Sequence, residues 1–153
     1  MTEYKRVFID TAPFIYLIEK NEDNPQFYNK AKKFFDDGYN NDVDFVSSVI
    51  TMEEYLVFPY RIQSQEYIDI FEKLIKALEI EMVVIDERIA KKAAQIRAEY
   101  QSFKAMDALQ LAAASLADCN LFLTNDKQLR QFKELKCITV DELDSIDVEH
   151  GMQ

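Results

Sequence analysis

The sequence predicts an α/β fold, a three-layer α/β/α sandwich around a central and mainly parallel sheet of about five strands. Short apolar segments of strand length alternate with longer segments of helical periodicity, which is typical of a parallel sheet covered on both faces. The chain has 153 residues, enough for one domain with a sizeable core. We therefore expect a single domain over residues 1–140 and an acidic C-terminal tail over residues 141–153.

The individual elements follow from periodicity and from residues that begin or end them. The predicted strands are short apolar runs that cover residues 4–10, 43–47, 81–85, 120–124 and 137–140. The predicted helices carry apolar residues three and four positions apart and cover residues 11–19, 26–37, 49–58, 64–78, 86–100, 103–117 and 126–135. Pro13 is tolerated in a first turn, Gly38 and Pro59 are expected to end their helices, and Asp86 is expected to cap one.

Composition excludes several functional classes. Only two glycines, Gly38 and Gly151, are present, which argues against a glycine-rich phosphate-binding loop. His150 is the single histidine and lies in the tail, which argues against histidine-based triads and metal clusters. Cys119 and Cys137 are expected to be reduced core thiols. No apolar run approaches the roughly 20 residues of a membrane span, and the N-terminus resembles no signal peptide, so we expect a cytoplasmic protein without a membrane partner.

Four carboxylates are candidates for a site at one edge of the sheet. Asp10 ends the first strand and Asp126 follows the fourth, and ligands of parallel sheets bind beyond the carboxyl ends of strands. Glu54 lies about two turns into the helix after the second strand. Asp107 lies in the first turn of an alanine-rich, apolar helix, where a charge needs a partner. Such a set of hard oxygen ligands suits Mg²⁺ or Mn²⁺, which can activate water and hold a phosphate oxygen.

Each of these residues also has a purely structural interpretation. Asp10 and Asp126 could cap helices, and Asp107 is favoured in a first turn by the helix dipole. Glu53 and Glu54 are adjacent and cannot both face inward, so either could be the exposed one. The hydroxyl groups of Ser48 and Thr124 could orient the carboxylates, or these could be ordinary polar residues at strand ends.

Four segments together resemble the PIN-domain nucleases, especially the small toxin ribonucleases of the VapC type. The first segment is Val7–Thr11, an apolar strand that ends in Asp10, and the second contains Ser48, Thr51 and Glu54 at intervals of three residues. The third is Asp107 with the alanine-rich helix that follows it, and the fourth is Leu123–Asp126. The resemblance spans residues of about 5 to 140 and selects Glu54 over Glu53. It implies an α/β/α sandwich, Mg²⁺- or Mn²⁺-dependent cleavage of RNA by the four acids, a homodimer and a cognate antitoxin protein.

Binding of RNA needs positive charge, and the chain as a whole is acidic. The formal net charge is −10, which argues against broad nucleic-acid binding by bulk charge. A local basic strip is nevertheless predicted on one helix face and just before the acidic helix, comprising Arg88, Lys91, Lys92 and Lys104. Its alternative is an ordinary solvated helix face. Three aromatic residues after Glu54 are expected at a dimer or core surface rather than under RNA bases, namely Tyr55, Phe58 and Tyr60.

These observations lead to one hypothesis and two alternatives. The hypothesis is a metal-dependent endoribonuclease that hydrolyses RNA phosphodiester bonds as the toxin of a toxin–antitoxin pair. The first alternative is a catalytically inactive PIN-like binding module. The second is a receiver-like signalling domain with Asp86 as phosphate acceptor, which is weakened because no strand ends in a suitable lysine.

Overall fold

Among the described residues the sheet has five parallel strands, as the sequence predicts. The computed structural model describes residues 4–20 and 24–143. The strands are β1 (Arg6–Ile9), β2 (Asp44–Ser48), β3 (Glu81–Val83), β4 (Leu121–Thr124) and β5 (Cys137–Thr139). They lie in the order β3-β2-β1-β4-β5, and every neighbouring pair is parallel. Their carboxyl ends therefore meet at one edge of the sheet.

In the described part of the chain, six α-helices cover the two faces of this sheet. They are α1 (Thr11–Glu19), α2 (Pro25–Asn40), α3 (Val49–Arg61), α4 (Gln65–Ala77), α5 (Glu87–Glu99) and α6 (Ala105–Leu116). Two short 3₁₀ turns follow β4 and β5: the first 3₁₀ turn is Lys127–Gln131 and the second is Val140–Glu142. No helix in the described ranges is long and apolar enough to cross a membrane.

The core consists of one apolar layer on each face of the sheet. On the first face, α1 to α4 pack around stacked aromatic side chains, including Tyr55 and Phe71 with ring centroids 4.3 Å apart. On the second face, α5 and α6 cover Phe8 and Phe122, whose rings stack at 5.1 Å. Because helices cover both faces of the sheet, the fold is a three-layer α/β/α sandwich.

Helix α6 lies inside the domain because its side chains are small. Ala108, Ala112, Ala113 and Ala114 have no exposed surface, and they pack against the sheet and α5. Alanine favours the helical conformation and lets neighbouring backbone come close. The helix thereby brings Asp107, in its first turn, to the edge where the strands end.

Three predicted element ends are wrong. Helix α3 continues through Pro59 to Arg61, because the proline fits helical backbone and the amides of Ile62 and Ser64 bond to the carbonyls of Phe58 and Pro59, at 3.1 and 2.9 Å. The helix predicted over 126–135 is only the first 3₁₀ turn. The chain leaves that turn at residue 132, so that Phe132 and Leu135 can enter the core.

The third wrong end concerns Gly38, which lies within α2 and not after it. Helix α2 continues to Asn40, and Gly38 is buried. A Cβ atom at this position would stand 2.4 Å from Cζ of Phe45 on the neighbouring strand. The glycine therefore permits close packing of a helix on a strand, which a helix-end rule does not anticipate.

The predicted tail begins with residues that belong to the packed structure. Leu143 has no exposed surface and joins the core beside α2, while a capping box at Thr139 and Glu142 closes the second 3₁₀ turn. Residues 144–153, with most of the predicted tail and His150, lie outside the described residues. The boundary at residue 140 stays a prediction.

Candidate active site

An open cavity of about 530 Å³ lies at the carboxyl edge of the sheet, between β1, β4 and the starts of α1 and α6. Its lining contains all four carboxylates singled out in the sequence, which are Asp10, Glu54, Asp107 and Asp126. Four different segments of the chain deliver them. The strand-end rule anticipated Asp10 and Asp126, whereas the inward side of α3 and the start of α6 place the other two.

Asp10 is the most firmly held of these carboxylates. Its side chain accepts hydrogen bonds from the amide of Thr11 at 2.9 Å, from Oγ1 of Thr124 at 2.8 Å and from Nε2 of Gln110 at 3.3 Å. Burial raises its pKa, these three donors lower it, and the charge of Asp126 raises it further. The bond to Thr11 caps α1, so Asp10 serves the helix and the cavity together.

A buried amide, Gln110, connects the site to α3. It is almost fully buried, and its Nε2 atom also donates to Oγ1 of Thr51 at 2.7 Å, while its Oε1 atom accepts from the hydroxyl of Ser48. Ser48 therefore contacts the amide and caps α3 through the amide of Ile50, at 3.1 Å, without touching a carboxylate. Sequence reasoning missed Gln110, although its position one helical turn after Asp107 was the available signal.

The remaining carboxylates are held less tightly. Glu54 accepts a hydrogen bond of 2.7 Å from Oγ1 of Thr11. Burial raises the pKa of Glu54, the hydrogen bond lowers it, and the negative charge of Asp10 raises it further. Asp126 caps the first 3₁₀ turn by accepting from the amide of Gln128 at 2.9 Å. Glu53, the adjacent alternative to Glu54, does not line the cavity.

Asp107 shows most clearly that the cavity carries uncompensated negative charge. Burial raises its pKa to about 6, and the charges of Asp10, Asp126 and Glu54 contribute in the same direction. Lys104 opposes this shift, since its charge lies near the start of α6. A half-buried carboxylate among three others takes up a proton close to neutral pH unless a cation is present.

The donor set fits a hard divalent cation. All four candidate ligands are carboxylate oxygens, which Mg²⁺ and Mn²⁺ prefer, and they repel one another in the protein without a cation. Within residues 4–20 and 24–143, no three acidic, histidine or cysteine side chains already stand close enough to enclose an ion. The fit therefore rests on the chemistry of the ligands and on their common cavity.

The four residues of the predicted basic strip do not line the cavity. Arg88 lines a separate groove next to the C-terminal end of α6, away from Asp107. Lys91 pairs with Glu87 of the same helix at 3.1 Å. Lys92 pairs with Glu134 at 2.7 Å. Of the four candidates, only Lys104 is close enough to influence a cavity carboxylate.

Two further predictions concern residues outside the cavity. Asp86 caps α5 through the amide of Ile89 at 2.9 Å, as expected, and lines the groove of Arg88. This placement away from the four acids removes support from the receiver-like alternative. Among the aromatic residues after Glu54, Tyr55 is buried in the core, whereas Phe58 and Tyr60 are 46% and 63% exposed.

The fold and its acid-lined cavity define a PIN domain. The family model of the PIN domain matches residues 7–135, so the chain belongs to this family of nucleases, and the predicted resemblance is confirmed. No curated protein sequence matches the chain at a significant level.

Solved structures with the same fold include a toxin–antitoxin complex, FitAcB and a DNA-bound VapBC. A toxin–antitoxin complex from Klebsiella pneumoniae is 21% identical, with a TM-score of 0.65, over 88% of this chain and 97% of that chain. FitAcB from Neisseria gonorrhoeae is 16% identical, with a TM-score of 0.66, over 89% and 99%. DNA-bound VapBC from Salmonella typhimurium is 20% identical, with a TM-score of 0.62, over 89% and 98%. At these identities the likeness shows a shared fold.

Proposed function

We propose that this protein is a metal-dependent endoribonuclease that hydrolyses RNA phosphodiester bonds as the toxin of a toxin–antitoxin pair. The observation that carries the proposal is the meeting of Asp10, Glu54, Asp107 and Asp126 around one open cavity in a PIN fold. No histidine or cysteine lines this cavity in the described part of the chain, so carboxylates are the groups available for chemistry.

The four carboxylates would hold Mg²⁺ or Mn²⁺, which supplies positive charge to offset the phosphate and activates water. The other residues keep the ligands in place. Thr124 and Gln110 fix both oxygens of Asp10. Thr11 orients Glu54 from the first residue of α1. Side chains that are already oriented lose little conformational freedom when a cation and a phosphate bind, which lowers the entropic cost of reaching the reactive geometry.

The proposed partners are an antitoxin protein and a second copy of the chain. Support for the antitoxin comes from the similar structure from Klebsiella pneumoniae, which is described as a toxin–antitoxin complex. Support for the homodimer comes from exposed apolar side chains at the end of α3, namely Val57, Phe58, Tyr60 and Ile62. Exposed apolar groups at this density are typical of interaction surfaces. An RNA substrate places the proposed activity in the cytoplasm.

The activity is tested with a panel of single-stranded and structured RNAs incubated with Mg²⁺, Mn²⁺ or EDTA. We expect internal cleavage with a divalent ion and none in EDTA. Cleavage that continues in EDTA would contradict a metal-dependent mechanism. Metal binding without cleavage of any RNA would favour the inactive binding module instead.

A further inference from the structure

Lys127 lies in an unusual position, because it is the one basic residue that lines the acidic cavity within the described ranges. It directly follows Asp126 and begins the first 3₁₀ turn. Its side chain is 65% exposed, so it is accessible from solvent. None of the cations predicted to bind RNA lines this cavity.

The ammonium group of Lys127 is held by the second 3₁₀ turn. Its Nζ atom stands 3.8 Å from Oδ2 of Asp141. Asp141 is itself fixed, since Thr139 donates a hydrogen bond to its other oxygen and Lys30 donates to its carbonyl at 3.2 Å. The hydrogen bond from Thr139 and the charges of Lys127 and Lys30 lower the pKa of Asp141. The contact with this fixed carboxylate keeps Lys127 beside the cavity.

An RNA strand that enters this cavity meets strong repulsion. The chain has a net charge of −10, and four carboxylates surround the place where the phosphate must lie. A bound divalent ion offsets charge at the phosphate being cleaved, but the neighbouring phosphates still need cationic partners. Exposed ion pairs such as the one between Lys127 and Asp141 are weak, so a phosphate can replace the aspartate as the partner of the lysine.

We propose that Lys127 binds a phosphate of the RNA strand next to the cleaved bond, and that Asp141 holds the lysine in position until RNA arrives. This inference rests on the proposed ribonuclease function and names a substrate contact that the sequence analysis did not identify. Lysine suits the role because its ammonium group acts as a point charge for a phosphate.

The same two turns provide a matched control. Arg130, in the same 3₁₀ turn as Lys127, pairs with Glu142 at 3.5 Å and does not line the cavity. Lys127→Met and Arg130→Met each remove one positive charge and one ion pair between the same two segments. Only the first removes a charge from the cavity lining, so the change in net charge is matched. Arg130→Met also removes the hydrogen bond of 3.2 Å from Nε of Arg130 to the carbonyl of Lys127, so this control disturbs the turn at least as much as Lys127→Met does.

Binding is measured by fluorescence anisotropy of a fluorescein-labelled, single-stranded RNA of mixed sequence, with Mg²⁺ present. The Asp107→Asn background prevents cleavage during the titration, and salt concentration is varied. We expect Lys127→Met to weaken binding about fivefold and to reduce the slope of log affinity against log salt by about 0.7, the value for one phosphate contact on a single strand. Arg130→Met should stay within about twofold of the parent, and Lys127→Arg should restore most of the affinity.

Cleavage kinetics provide a second readout in the protein with Asp107 intact. Lys127→Met should raise KM more than it lowers kcat, because the contact serves binding. Equal losses for Lys127→Met and Arg130→Met, or no loss for either, would overturn the role of Lys127 while leaving a cleaving wild-type protein as a ribonuclease. A wild-type protein that neither binds nor cleaves RNA would overturn the proposed function as well.

Discussion

Replacing Asp107 by Asn should stabilise the protein when no divalent ion is present. In the wild-type fold this carboxylate has a pKa of about 6, raised from 3.8 by burial and by three neighbouring acids. Its folded-state pKa is thus above its unfolded value, so the folded state binds more protons between about pH 4 and pH 6. Stability is therefore lost as the pH rises through this range, and the cost is fully present at neutral pH.

The magnitude follows from the size of that shift. A change from 3.8 to about 6 corresponds to about 3 kcal/mol at about 1.36 kcal/mol per pKa unit. Asp107 is only half buried, so solvent screening reduces the expected cost to about 1 kcal/mol. An asparagine keeps the shape of the side chain without its charge. We expect a gain of about 1 kcal/mol near pH 7.5, or roughly 3 °C in Tm, and no gain near pH 4.

Urea unfolding in EDTA at these two pH values measures the effect. Asp86→Asn is the control, because asparagine caps a helix as well as aspartate and Asp86 lies outside the cavity. Addition of Mg²⁺ should then stabilise the wild-type protein more than the Asp107→Asn variant. Equal stability of these two proteins at neutral pH, or a gain that persists near pH 4, would refute this electrostatic account of the cavity.

Three further substitutions test hydrogen bonding at the site and packing elsewhere in the domain. Gln110→Leu should lower the free energy of unfolding by about 1–3 kcal/mol in urea and slow RNA cleavage, because two hydroxyls and a carboxylate lose their amide partner. Gly38→Ala should cost about 1–2 kcal/mol by the same assay, despite its better helix propensity, because the new methyl group meets the buried ring of Phe45. Ser115→Ala should raise Tm by a few degrees, about 1 kcal/mol, because that buried hydroxyl has no hydrogen-bond partner among the described residues.

The layers of the fold could be predicted because each rests on a local signal. Parallel strands buried on both faces have continuous apolar sequences, and an alanine-rich helix such as α6 belongs inside a domain. The ends of elements depended on contacts distant in sequence. A glycine is needed at position 38 because the ring of Phe45 on a neighbouring strand leaves no room for a Cβ atom. The helix predicted after Asp126 ends early because Phe132 is buried in the core.

The acidic cavity could be assembled from sequence for a similar reason. The strand-end rule locates Asp10 and Asp126, and the family resemblance chooses Glu54 over its neighbour. Gln110 was missed because its position one helical turn after Asp107 indicates that it lies near the site but not which hydroxyls and carboxylate its amide contacts. Lys127 was missed because a basic strip was sought on one helix face, whereas the cavity is lined by segments from several elements.

We propose that the four carboxylates of the cavity perform RNA cleavage. The most direct test of this proposal compares the rates of metal-dependent cleavage by Asp107→Asn, by Asp86→Asn and by the wild-type protein. We predict a wild-type rate for Asp86→Asn and a loss of about a hundredfold or more for Asp107→Asn, the usual result of removing a group that acts on developing charge. Cleavage by Asp107→Asn at the wild-type rate would contradict the assignment of this cavity as the active site.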